Sequence, residues 1–236
     1  MFPLRDTIPS QNPPVAVWLL IGVNVACFAL ELQMGPGALD QALHTFGLVP
    51  ARFGVDRLWQ LVTCSFLHGS LLHLVANLWT LWIFGDNVED RMGPLRFIGF
   101  YLSCAVLAAL TELLLLPDSS APMIGASGAI AGVMGAYLVL YPRARIILVV
   151  PLLFWPLFFT VPALVFLGYW FVIQVLSGGL GLIAGTQELG GIAFGAHVGG
   201  FIAGAALHPL FVRRMPRRRQ SDERGFESAW QPSDLR

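Results

Sequence analysis

Apolar residues in this chain fall in blocks too long and too continuous for the strands or amphipathic helices of a water-soluble core. A bilayer is crossed by ~20 predominantly apolar residues in helical form. Runs of that order occur at residues 15–34, 66–84, 95–116 and 191–212, with shorter ones at 127–141 and 162–176. Chain breakers bound them: Gly35-Pro36-Gly37 after the first, Pro117 after the third and Pro142 after the fourth. The pattern predicts an all-α polytopic membrane protein with six transmembrane helices. Between the first two runs, residues 35–66 mix Phe46, Phe53 and Trp59 with Arg52, Asp56 and Arg57, a composition suited to lying at the membrane surface. Residues 143–161 are apolar but interrupted by Pro151 and Pro156, and read as an interfacial or re-entrant segment. Residues 177–190 read as a glycine-rich loop. The expected organisation is a cytoplasmic N-terminal segment (1–14), a membrane domain (15–212) and a basic, disordered cytoplasmic tail (213–236).

Composition agrees with the pattern. Of 236 residues, 56% are hydrophobic and 12% charged, about half the charged share of a typical soluble domain; the mean hydropathy is +0.70. The formal net charge is zero, which excludes the broad basic field that nucleic acid requires. Cys27, Cys64 and Cys104 show neither metal-ligand spacing nor an even-numbered disulfide pattern. Residues 1–14, rich in proline, resemble neither a cleaved signal peptide nor a mitochondrial transit peptide. The arginines set the orientation. With the N-terminus cytoplasmic and six spans, Arg5, Arg91, Arg96, Arg143, Arg145 and the cluster after 212 fall inside, and only Arg52 and Arg57 fall outside. A plasma or bacterial inner membrane is expected, with both termini cytoplasmic and the polar site opening to the outer side.

A few polar residues stand within the apolar runs, where they are costly unless paired. The fourth run is only about 15 residues, roughly 22 Å at 1.5 Å each, against a hydrocarbon thickness of ~30 Å. Its first residue, Ser127, therefore starts below the outer surface. His73 lies about seven residues into the second run and His197 about six into the sixth, each roughly 10 Å down. Asn77 is one turn below His73 on the same face. Ser127, His73, Asn77 and His197 are thus predicted to line one cavity. A neutral imidazole can take the proton of a serine that attacks a carbonyl. The resulting oxyanion needs fixed donors, which the Ser127 amide at a helix N-terminus, Asn77 and His73 can supply. Gly125 and Gly128 allow close backbone approach around the serine. No carboxylate is expected to complete a triad, since Glu112 is in the third span and Glu188 in an outer loop. No metal or cofactor is expected either: a site from His68, His73 and His197 is disfavoured because His68 and His73 are five apart, off one helix face.

In order and depth these residues resemble the rhomboid family of intramembrane serine proteases over roughly residues 58–207. His73-Leu74-Val75-Ala76-Asn77 is similar to the family's H-x-x-x-N, Gly125-Ala126-Ser127-Gly128 to its G-x-S-G, and Ala196-His197 with Gly200 and Gly204 to its A-H-x-x-G-x-x-x-G. Residues 85–93, with Glu89 and Arg91, look like its structural turn after the second span. The resemblance implies a six-helix rhomboid-like bundle with Ser127 as nucleophile, His197 as general base and acid, and an oxyanion hole from His73, Asn77 and the Ser127 amide. Gly125, Gly128, Gly200 and Gly204 would be structural. Substrates would be transmembrane protein segments admitted laterally near the second and fifth spans. The chain departs from many members at Trp59-Gln60, where they carry Trp-Arg, and at Ala131, where some carry an aromatic that packs on the histidine. Phe194 or Phe201 is expected to take over that packing. The alternatives are a catalytically silent rhomboid-like protein that binds transmembrane clients, and a small-solute transporter. Both reacting residues are present, which weighs against the first, and no half-to-half repeat supports the second.

Overall fold

The computed structural model describes residues 2–152, 155–184 and 192–213. The tail beyond 213 and Glu188 lie outside the described residues. In chain order the elements are β1 (Phe2–Asp6), α1 (Val15–Glu31), α2 (Pro36–Phe46), α3 (Gln60–Thr63), α4 (Leu71–Met92), α5 (Pro94–Leu115), α6 (Ser127–Leu140), β2 (Arg145–Leu152), β3 (Trp155–Pro162), α7 (Ala163–Ala184) and α8 (Phe194–Phe211). By length and composition α5, α7 and α8 can each cross a bilayer. The segment Gln60–Phe66 and α4 pass the same test together, bent by 100°, whereas α1 and α6 are apolar but shorter.

Helix α6 is the hub. Every residue from Gly128 to Tyr137 is buried, and α4, α5, α7 and α8 all pack on it. Its sequence explains the position: Gly128, Ala129, Ala131, Gly132, Gly135 and Ala136 make it thin enough to be surrounded. The tightest seam is with α8. A Cβ placed on Gly200 would lie 2.0 Å from the Gly128 carbonyl oxygen, and one on Gly204 would lie 1.8 Å from that of Gly132. Small residues spaced by four on both helices bring the backbones together, the usual device where no hydrophobic effect drives association in lipid.

The boundaries differ from expectation most in three places. The second helix begins at Leu71, not 66, because Ser70 caps it by accepting the His73 N–H at 3.1 Å. It also runs through residues 85–92, which were read as a polar turn. Their charges are engaged by protein: Glu89 accepts the Ala16 and Val17 amides at 3.0 and 2.9 Å, capping α1, and Asp90 accepts the Asn12 amide at 3.0 Å. Gly93, at φ +76°, ends the helix in a conformation that favours glycine. The fifth helix extends to Ala184, so residues 177–184 are helical rather than loop; Gly178 leaves room for Phe194 beside it.

The all-α expectation is corrected by a three-stranded antiparallel sheet, in the order β1-β2-β3. The stretch read as interfacial or re-entrant forms the hairpin β2–β3, with Arg145 opposite Pro162 and Leu152 opposite Trp155. The N-terminal strand pairs with its first half, Phe2 opposite Val149 and Asp6 opposite Ile146. Ile146, Ile147, Val149, Val150, Thr160 and Val161 favour extended chain. Pro151 and Pro156 face each other beyond the reach of β1, where a missing N–H costs no ladder bond to a third strand.

The long first connection is held by its own polar groups. The Trp59 indole and the Gln60 amide donate to the Thr45 carbonyl at 3.3 and 3.0 Å, and the Thr63 hydroxyl donates to that of Phe46 at 2.6 Å. Gln60 thus anchors the loop. Glu31 is buried and accepts the His68 amide at 3.3 Å, bracing the bend before α4.

Candidate active site

Ser127, His73 and His197 each stand in the first turn of their own helix. Ser127 opens α6, His73 is the third residue of α4 and His197 the fourth of α8. His73 and His197 stand closer to their helix ends than the apolar runs imply, because both helices start later than those runs do. The three N-termini nevertheless meet. First-turn amides have no intrahelical acceptor, and each helix end carries roughly half a positive charge. The meeting point therefore favours a developing anion.

The Ser127 hydroxyl donates to His197 Nε2 at 2.7 Å, across 70 residues of chain. The α6–α8 seam fixes this distance, since Gly128 and Gly200, which touch through the Gly128 carbonyl, lie one and three residues beyond the two side chains. Gly128 also faces the Ala108 methyl, with no room for a Cβ at 2.7 Å. Gly125 has φ +120°, and a Cβ there would lie 2.7 Å from the His73 ring. Glycine is required at this position twice, by backbone conformation and by the approach of His73. The Gly125 amide donates to the Cys64 carbonyl at 2.8 Å, tying the serine loop to the segment before α4.

Asn77 is buried one turn below His73, with its carboxamide nitrogen 3.1 Å from His68 Nε2. His68 also meets His73 edge-on, their ring centroids 5.1 Å apart. The spacing of five, which separates two residues on one helix, does not apply here because His68 precedes the helix. Among the described residues, no group of three His, Cys, Asp or Glu side chains is arranged to hold a metal.

Two residues at the site, Gln174 and Trp170, are absent from the candidates the sequence offers. Gln174 of α7 accepts the His197 Nδ1–H through its carboxamide oxygen at 2.7 Å. Trp170, also of α7, lays its ring on the imidazole at 5.8 Å. Phe194 meets the imidazole edge-on at 6.4 Å as expected, whereas Phe201 backs Trp170 at 6.0 Å rather than the histidine. The aromatic missing at Ala131 is thus replaced from α7. Glu112 of α5 accepts the Ala196 amide at 2.8 Å and so caps α8, rather than joining a triad. One signal was available for Gln174. It is the only carboxamide or charged residue between 163 and 184, and such a residue in an apolar span is a functional candidate.

A serine hydroxyl on an imidazole, with that imidazole held by a third group, is an arrangement that serine hydrolases use. A model of the rhomboid domain matches residues 55–214, more than half of the chain; the protein belongs to the rhomboid family of membrane-embedded proteins, which includes serine intramembrane proteases. It is 27% identical over 218 residues to the mitochondrial Rhomboid protein 1 of Saccharomyces cerevisiae, covering 89% of this chain and 57% of the relative. To the rhomboid protease GluP of Bacillus subtilis it is 31% identical over 130 residues, 55% of this chain and 25% of the relative. To RHOMBOID-like protein 4 of Arabidopsis thaliana it is 29% identical over 183 residues, 74% of this chain and 39% of the relative. The chain spans less than two thirds of the length of each.

Proposed function

We propose that this protein is an intramembrane serine endopeptidase that hydrolyses peptide bonds in or near transmembrane segments of membrane proteins. The observation that carries the reading is the 2.7 Å bond between the Ser127 hydroxyl and His197 Nε2 at the meeting of three helix N-termini. In the reaction, Ser127 Oγ attacks the carbonyl carbon and its proton passes to Nε2. The oxyanion is stabilised by the Ser127 amide, the Asn77 carboxamide and the His73 ring. On collapse the leaving amine takes the Nε2 proton, and a water activated by the same nitrogen then hydrolyses the acyl-enzyme. Each preorganised donor is worth about 10²–10³ in rate.

The membrane arrangement is part of the proposal: six crossings by α1, the bent α3–α4 pair, α5, α6, α7 and α8, with both termini cytoplasmic and the site facing the outer side. The arginine distribution supports it. So does the sheet, which joins the N-terminal strand to the α6–α7 hairpin and therefore puts both on one side.

The test is labelling of purified protein by a fluorophosphonate in detergent, for wild type, Ser127→Ala and His197→Ala. Labelling of wild type that both substitutions remove supports the reading. A folded wild type that does not label refutes it in favour of a silent protein that binds transmembrane clients.

A further inference from the structure

Helix α7 is the least enclosed of the long apolar helices: 17% of its most apolar stretch is buried, against 39% for α5 and 28% for α8. Its inner end is fixed. Ala163 and Leu167 are fully buried, the Ala163 amide donates to the Ala144 carbonyl at 2.8 Å, and Phe166 stacks on Phe84 of α4. One face of the helix is exposed along its length, at Leu164, Val165 and Tyr169 and, from the middle on, at Val172, Ile173, Val175, Leu176 and Leu180. The middle of α7 is held to α8 by Phe171 on Phe201, ring centroids 4.8 Å apart, by Trp170 on His197, and by the Gln174–His197 hydrogen bond. Gln174 is buried, and its bond is the side-chain hydrogen bond that ties α7 to another helix among the described residues.

A neutral imidazole has one proton and two nitrogens. If the proton sits on Nε2, the ring cannot take the serine proton. An acceptor at Nδ1 holds the proton there and frees the Nε2 lone pair for Ser127. An amide turned the other way would donate to Nδ1 and force the unreactive tautomer, so the sense of this one bond decides competence.

We propose that Gln174 is a positioning residue for His197: its carboxamide oxygen fixes the Nδ1–H tautomer, and because it rides on α7, the seating of that helix determines whether the Ser127–His197 pair is assembled. This rests on the reading of Ser127 and His197 as the reacting pair. When the serine proton moves to Nε2, the imidazolium keeps its Nδ1–H on Gln174. No proton passes to the amide, and the leaving amine removes the Nε2 proton.

The experiment is the fluorophosphonate labelling rate, followed against pH, for wild type, Ser127→Ala, Gln174→Leu, Gln174→Glu and Phe171→Ala, with thermal unfolding as a control. The probe is small and does not require a transmembrane substrate to pass α7. Gln174→Leu is expected to label about 10- to 100-fold more slowly than wild type, the scale of losing a group that orients a reacting histidine. Gln174→Glu keeps the acceptor and is expected to restore labelling. It also shifts the acid limb to higher pH, because a carboxylate stabilises the imidazolium. Phe171→Ala loosens α7 without touching the imidazole and is expected to slow labelling in the same direction. If Gln174→Leu does not fold, the nearly isosteric Gln174→Met gives the same reading. In protein carrying 15N-histidine, the His197 signal is expected to report protonated Nδ1 in wild type and a loss of that preference in Gln174→Leu. Wild-type labelling rates in folded Gln174→Leu, or equal slowing by Leu and Glu, would overturn the positioning role. An unchanged rate in Phe171→Ala would overturn the coupling to α7. A wild type that does not label is a separate result and removes the parent reading.

Discussion

The α6–α8 seam makes the sharpest demand on the sequence, and Gly200→Ala tests it. The added methyl would lie 2.0 Å from the Gly128 carbonyl oxygen, and that neighbour is backbone, so it cannot rotate away. Ordinary contact begins at 3.4 Å, so the helices must part by about 1.4 Å. Ser127 is the residue before Gly128 and His197 is one turn before Gly200. The same parting carries their 2.7 Å bond to about 4 Å, past hydrogen-bond range. Misplacement of about 1 Å costs on the order of 10²-fold in rate, and overpacking a tight core costs about 1–3 kcal/mol. Gly200→Ala is therefore expected to fold, to melt at a lower temperature and to label with fluorophosphonate at least about 100-fold more slowly than wild type. Gly168→Ala is the matched control, since nothing lies within 4 Å of the methyl it adds on α7; it is expected to label at the wild-type rate. If Gly200→Ala folds and labels normally, backbone contact between α6 and α8 does not set the geometry of the pair, and the account of the site given above is wrong.

Three further outcomes are expected. Asn77→Ala should lower kcat by about 10²-fold with little change in KM, because its donor acts on the oxyanion rather than on bound substrate; steady-state kinetics on a cleaved transmembrane peptide reads the split. Glu112→Ala leaves the first turn of α8 without its cap and should cost about 0.5–2 kcal/mol in a chemical or thermal melt, whereas Glu112→Gln, which keeps an acceptor for the Ala196 amide, should recover much of it. The Asp6 carboxyl accepts the Tyr137 hydroxyl near the C-terminal end of α6, and burial, reinforced by nearby Asp86, pushes it from the ordinary 3.8 up to about 7. Its folded value is raised, so docking of β1 is strongest at low pH, weakens as pH climbs between these two values, and stays at its minimum above about 7. Hydrogen exchange of the Phe2, Leu4, Arg5 and Asp6 amides, corrected for intrinsic rates, should show that slope in wild type and none in Asp6→Asn.

The residues proposed to react were legible because each announces itself locally. A serine at the head of an apolar run that is too short, and histidines inside others, are anomalies that need no partner to be noticed. What was not legible depends on pairing across the chain. The hairpin at 145–162 is as apolar as a span, and its prolines read as breaks in a helix until β1 is seen to stop short of them. The helix at 71–92 passes through Asp86, Glu89, Asp90 and Arg91 because the N-terminal segment and α1 supply amides for Glu89 and Asp90, which no periodicity reveals. The start of α4 is set by Ser70, a cap whose signal is lost inside an apolar run that begins at Phe66. Gln174 stood out by type but gave no hint that its partner would be a histidine 23 residues away on another helix.

The identity of that third group follows from the surroundings. Three parallel helices point their positive ends at Ser127, which favours the oxyanion but opposes a second positive charge on the imidazole. In a water-exposed hydrolase a carboxylate behind the histidine offsets that opposition. Here the corresponding position is on α7, in a span otherwise free of charge. An ionised side chain there must be desolvated whenever the pair is not protonated, at a cost of several kcal/mol. A carboxamide accepts the same Nδ1–H without carrying charge into the apolar layer. Glu112 spends its oxygen on the α8 amide of Ala196, where it meets the positive end of the helix whose fourth residue is the proposed base. Charge is thus matched at the helix end and tautomer is fixed by a neutral group, a division that lets the pair sit in an apolar setting with no buried carboxylate on the imidazole itself.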